Sequence, residues 1–111
     1  MNDETILNNL IAELKRGTQV LAVLGQLHHG RYGYSLLQDL GEKGVQIEAG
    51  TLYPLLRRLE SQGLLNSEWD TTETRPRKYY VLSPLGIETY ASLLREWKAL
   101  VENMEWILKE N

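Results

Sequence analysis

Residues 50–82, GTLYPLLRRLESQGLLNSEWDTTETRPRKYYVL, decide how the rest of the chain is read. Leu52, Leu55, Leu56 and Leu59 recur at helical spacing and fall on one face. Thr51, Tyr53, Pro54, Arg57, Arg58 and Ser61 occupy the other side. Pro54 fits a helix only where its missing amide has no helical partner, which predicts a start near Ala49–Thr51 with Thr51 as cap. Gly63 supplies the stop, because glycine enters the left-handed region without a Cβ clash. Leu64 and Leu65 lead into a strand, residues 71–76 form a polar tip, and residues 77–82 return as a second strand. Alternation sets Arg77, Tyr79 and Val81 against Lys78, Tyr80 and Leu82, with Tyr80 and Leu82 expected inside. Pro76 blunts the tip, and Trp69 on the facing strand is expected to pack.

Outward from this stretch the chain is helical. Asp3 is the expected N-cap of a first helix carrying Ile6, Leu7, Leu10, Ile11 and Leu14 on one stripe. The stripe is interrupted around Gly17 and resumes from Val20 to Leu27, so a bend or break is expected there. His28-His29-Gly30 is expected to close that helix; adjacent histidines point apart and make poor partners for one metal ion. Arg31, Tyr32 and Gly33 read as a turn, and Tyr34 to Leu40 as a short helix burying Leu36, Leu37 and Leu40. Val45 to Glu48 alternates like a very short strand.

Ser83-Pro84 opens the last helix, serine as cap and proline at the first helical position. Tyr90, Leu94, Trp97, Val101, Met104 and Leu108 follow with gaps of 4, 3, 4, 3 and 4, a heptad seam widened by Leu93, Leu100 and Ile107. A domain of this size does not need so long a seam for its own core. It must be covered by the N-terminal helix, a second subunit or both.

Composition bounds the alternatives. With 111 residues the chain is one small unit, and the absence of cysteine excludes disulfides, thiolate zinc sites and a thiol nucleophile. No glycine-rich phosphate loop or histidine–carboxylate pairing speaks for an enzyme, and no cofactor is implied. No apolar run suits a membrane span or export signal, and a cytoplasmic address is expected. The net charge of −3 is uneven: residues 1–14 carry −3 and residues 83–111 carry −2, while 15–48 and 49–82 carry +1 each. The candidate contacts, Thr51, Tyr53, Pro54, Arg57, Arg58, Arg75, Arg77 and Lys78, lie in that mildly positive middle, whose charge is compatible with a groove-facing patch but would not alone suggest DNA. A cationic helix followed by a basic hairpin fits a DNA duplex, helix in the major groove and hairpin on the backbone or minor groove. The fold expected is mainly α with a small β-wing: a winged helix-turn-helix over 1–82 and a dimerisation helix over 83–111. A protein–protein adaptor on the same fold is the rival, favoured by Glu68, Asp70 and Glu73 in the wing.

GTLYPLLRRLESQGLL, then RPRKYYVLSPLG and a long final helix with a tryptophan, resembles the PadR family of bacterial transcriptional regulators, in its compact form with one C-terminal helix. The resemblance runs from about Leu14 onward; residues 1–13 fall mostly outside it. It implies a homodimeric repressor on a double-stranded DNA operator, with Thr51, Tyr53, Arg57 and Arg58 on the recognition helix and Arg77 and Lys78 on the wing. Some members of the family bind planar aromatic effectors between the paired C-terminal helices. Trp97 stands at the corresponding interface position, where plain packing in the seam is the stronger reading and stacking on a ligand the other.

Overall fold

A computed structural model describes residues 2–110; Met1 and Asn111, which close the expected ranges 1–82 and 83–111, lie outside the described residues. The order is α1 (Asp3–Arg16), α2 (Gln19–Gly25), β1 (Arg31–Tyr32), α3 (Gly33–Glu42), α4 (Ala49–Ser61), β2 (Leu65–Asp70), β3 (Arg77–Leu82) and α5 (Pro84–Ile107). The expected fold, mainly α with a β-wing, is the one observed. No helix among the described residues is long and apolar enough to cross a membrane.

One core holds the middle of the chain. Val23 and Leu24 of α2, Leu36 and Leu40 of α3 and Leu52, Leu56 and Leu59 of α4 are buried with Leu27, Ile47, Leu65, Tyr80 and Leu82. Tyr80 and Leu82 thus point inward as alternation predicts, and Tyr79 is exposed. Ser83 fastens α5 to this body: its hydroxyl accepts from the Gly86 amide at 3.0 Å and donates to the Gly63 carbonyl at 2.6 Å. Gly86 is buried because α5 crosses the backbone at Leu64, and a Cβ there would collide with the Leu64 carbonyl. Gly63 ends α4's turn at φ +82°, as expected.

Several local expectations change. Asn2, not Asp3, caps α1, its side chain accepting from the Thr5 amide at 2.8 Å; Asp3 is the first helical residue, where its carboxylate still faces the positive helix end. The break at Gly17 is real, and Thr18 turns back to donate its hydroxyl to the Lys15 carbonyl at 2.7 Å. Helix α2 ends at Gly25, before the histidines, because the chain is drawn toward the sheet: the Leu27 carbonyl accepts from the Leu82 amide at 2.9 Å. Arg31 and Tyr32 are not a free turn but a strand, paired antiparallel with Tyr80 and Tyr79. The sheet order is β1-β3-β2, and Val45 to Glu48 does not join it: the Val45 amide donates back to the Leu40 carbonyl at 2.8 Å, and Ile47 anchors that connection in the core.

In α4 the N-cap is Glu48 and Thr51 is the third helical residue rather than the cap. Pro54 therefore lies beyond the first turn. Its missing N–H falls opposite the carbonyl of Gly50, an exposed residue whose partner can be water.

Candidate nucleic-acid interface

The leucine face of α4 is buried, which aims Thr51, Pro54, Arg57 and Arg58 at solvent. Two depressions flank this ridge. One of about 730 Å³ lies between α4, the start of α3 and the wing, and Tyr53, Arg57, Arg75, Arg77 and Lys78 line it. The other, about 430 Å³, lies toward α1 and α2 and takes in Thr51, Pro54 and Arg58. All eight candidate contacts from the sequence thus line one depression or the other.

Their electrostatic states differ. Arg57, Arg58 and Arg75 are exposed and enter none of the ion pairs found among the described residues. Lys78 donates to Glu60 near the end of α4 at 3.0 Å, and the Ser67 hydroxyl donates to the other Glu60 oxygen. The Ser67 hydrogen bond, then the Lys78 contact, holds the Glu60 carboxyl below the usual carboxylate range. This contact fixes the wing to the helix. Arg77 pairs with Glu73 at 3.2 Å and Asp70 at 3.8 Å, and its guanidinium sits 4.1 Å above the Tyr32 ring. Tyr32 in turn donates to Asp70 at 2.5 Å, and Thr72 donates to Asp70 through its hydroxyl at 2.7 Å and its amide at 3.0 Å. The Tyr32 hydrogen bond, with those from Thr72, pushes the Asp70 carboxyl down to about 2, while Tyr32 itself is raised.

Tyr53 has a packing role that its position on the cationic face conceals. A Cβ on Gly33 would stand 2.6 Å from the Tyr53 ring, so the ring lies directly on the first residue of α3 and packs the two helices together there. Sequence reasoning missed Tyr32 and Glu60, whose importance comes from partners distant in the chain. It also misjudged Trp69. That side chain shares a face with buried Leu65, but it lines the open cleft between α4 and the wing, and the indole is 64% exposed.

The seam of α5 divides in the same way. Tyr90 is covered within the chain, its ring against Gly25 and 4.8 Å from the edge-on His28 ring. Leu94 and Val101 are half-buried, whereas Trp97, Met104 and Leu108 are exposed. Leu100 and Ile107 beside them are exposed too, and α1 buries no residue at all.

Comparison with known proteins agrees with this fold. Residues 20–92 match the model of the transcriptional regulator PadR-like family. Transcriptional regulator Rv3488 of Mycobacterium tuberculosis is 40% identical over 80 residues, 68% of this chain and 72% of that protein. The crystal structure of a PadR family transcriptional regulator from Eggerthella lenta superposes with a TM-score of 0.92 at 44% identity, covering 97% of this chain and 96% of that one. A PadR-like transcription factor from Bacteroides fragilis gives 0.75 at 35% identity, with 89% and 98% covered. These relatives are regulators, not enzymes. The chain belongs to the PadR-like family of transcriptional regulators.

Proposed function

We propose that this chain is a cytoplasmic, sequence-specific DNA-binding regulator that acts as a homodimer and represses by occupying its operator. The observation that carries the reading is the exposed, unpaired arginine set on α4 with an open cleft on either side. A helix of that kind enters a major groove while the flanking walls meet the phosphates of the two strands. Residues 1–82 form the DNA-binding part in this reading, and residues 83–111 the dimerisation helix.

The uncovered apolar surface supports the dimer. Ile6, Leu7, Leu10 and Leu14 of α1 are 46–77% exposed, and Trp97, Leu100, Met104 and Leu108 of the α5 region 39–69%. Soluble monomers rarely leave so many large apolar side chains in water on two helices. A two-fold partner covers both, and it presents two copies of α4 to a palindromic site with half-sites about one helical turn apart. Paired α5 helices also bring Trp97 of each subunit into the seam, a surface on which a planar aromatic effector would stack.

The test is binding of the purified protein to DNA from upstream of its own gene, titrated with salt against unrelated competitor DNA. Competitor-resistant binding with a two-fold-symmetric footprint is expected, and log affinity should fall steeply with log salt as counterions are released. Salt-independent association, or affinity equal to the competitor's across a genome-wide selection of fragments, would sink the reading in favour of a protein adaptor.

A further inference from the structure

Trp69 is the largest side chain of the wing, and it is 64% exposed. Its Cα is paired with that of Lys78, so both side chains stand on the sheet face turned toward α4 and the cleft. The Lys78 ammonium lies 5.8 Å from the indole centroid and is held there by Glu60 at 3.0 Å. Lys78 is thus already neutralised by an intramolecular partner. It serves as a support for the indole more than as a free cation. The unpaired charges of the same cleft are Arg57 on α4 and Arg75 at the wing tip.

We propose, resting on the DNA-binding reading above, that Trp69 is a nucleic-acid contact: the wing lays its indole on the sugars and base edges of the duplex, next to phosphates held by Arg57 and Arg75. The cleft's composition chooses this occupant. A duplex offers anionic phosphates and apolar deoxyribose within a few ångströms of each other, which matches arginines beside an uncovered indole. An indole is amphipathic and large, and covering it supplies contact area without fixing a base identity. The contact is uncharged, so it releases no counterion, and this separates it from the arginine contacts in a salt titration.

The full chain is titrated with a DNA fragment that it binds, as wild type and as Trp69→Ala, Trp69→Phe and Arg75→Ala. Trp69→Ala should weaken binding about tenfold at every salt concentration with the slope unchanged, and Trp69→Phe should recover most of the loss. Arg75→Ala should instead reduce the salt slope by about 1. In wild-type protein carrying fluorotryptophan, with resonances assigned by single Trp→Phe changes, the Trp69 signal should move on DNA addition while that of Trp106 stays. Unchanged affinity of Trp69→Ala, or a Trp69 signal that ignores DNA, overturns the proposal and leaves the DNA-binding reading intact. A Trp69 signal that moves with protein concentration in the absence of DNA assigns the indole to a second protein copy and also overturns it. If wild type binds no fragment, the DNA-binding reading fails and this proposal with it.

Discussion

Helices α1 and α4 carry the same apolar rhythm and meet opposite fates. Leu52, Leu56 and Leu59 of α4 are at most 1% exposed, while Leu7, Leu10 and Leu14 of α1 are 56–77% exposed. Both stripes are helical, and both demand cover. The α4 stripe finds α2, α3 and the sheet on its own chain; the α1 stripe buries no residue there. Periodicity says that a face must be buried. It does not say by what.

The largest test of this contrast is truncation in each stripe. Leu56→Ala should cost about 2–5 kcal/mol, since it opens a cavity in a closed core, and the loss should be the same at any protein concentration. Leu10→Ala should cost stability only to the extent that a dimer forms, so its effect should grow as protein is concentrated. Chemical denaturation at two protein concentrations distinguishes them. A concentration-independent loss for Leu10→Ala would place α1 against its own chain in solution. Next in size is Val101→Asp, which sets a charge in the α5 seam. It should give a monomer by sedimentation, with the body's circular dichroism retained and operator affinity lower by about 100-fold through lost bivalency. A variant that still sediments as a dimer would move the interface off this seam.

What could be read from sequence follows from range. The leucine stripe of α4, Gly63 and Ser83-Pro84 are governed by neighbours within a turn or two, and each behaves as its local chemistry dictates. Strand β1 escaped because two residues have no period, and Arg31 and Tyr32 become a strand only when Tyr80 and Tyr79 arrive beside them. Val45 to Glu48 misled for the converse reason: its alternation is real, but the Val45 amide closes the end of α3 on the Leu40 carbonyl and Ile47 enters the core, so the segment is a connection and not a strand. Within the candidate site the sequence lists the cations and omits their partners. That Arg77 faces Asp70 and Glu73 depends on the hairpin register, whereas Arg57 stands on the exposed side of α4 and enters no ion pair among the described residues.

That difference ranks the arginines. Arg57→Ala removes an unpaired charge from α4 and should weaken operator binding by about tenfold, within the 1–3 kcal/mol range of a good base-edge contact. Arg77→Ala should cost less, about threefold, because Asp70 and Glu73 already offset its charge and only its positioning of the wing is lost. Both variants should keep fold and dimer. Fluorescence anisotropy with labelled operator measures the two under one condition. A larger loss for Arg77 would mean that the wing surrenders its carboxylates to solvent on the duplex, and the ranking would reverse.

The smallest effect expected is at the carboxylate beneath Arg77. Asp70 is depressed in the folded chain from an ordinary value of 3.8 to about 2, first by the Tyr32 hydroxyl and then by Thr72. A lowered folded value means the ionised form is the one bound. The contribution to wing stability is therefore complete above the ordinary value and disappears as pH falls through about 2. Operator binding near neutral pH should not register it. Carboxyl carbon shifts followed by NMR should place the Asp70 midpoint near 2 in wild type and closer to 3.8 in Tyr32→Phe, where the leading donor is gone. Titration of wild-type Asp70 at its ordinary value would show that β1 and the wing tip are not joined through this hydrogen bond in solution. Tyr32 would then reach the wing by its strand pairing with Tyr79 and its ring contacts with Arg77 and Tyr79, without a link to the tip carboxylate.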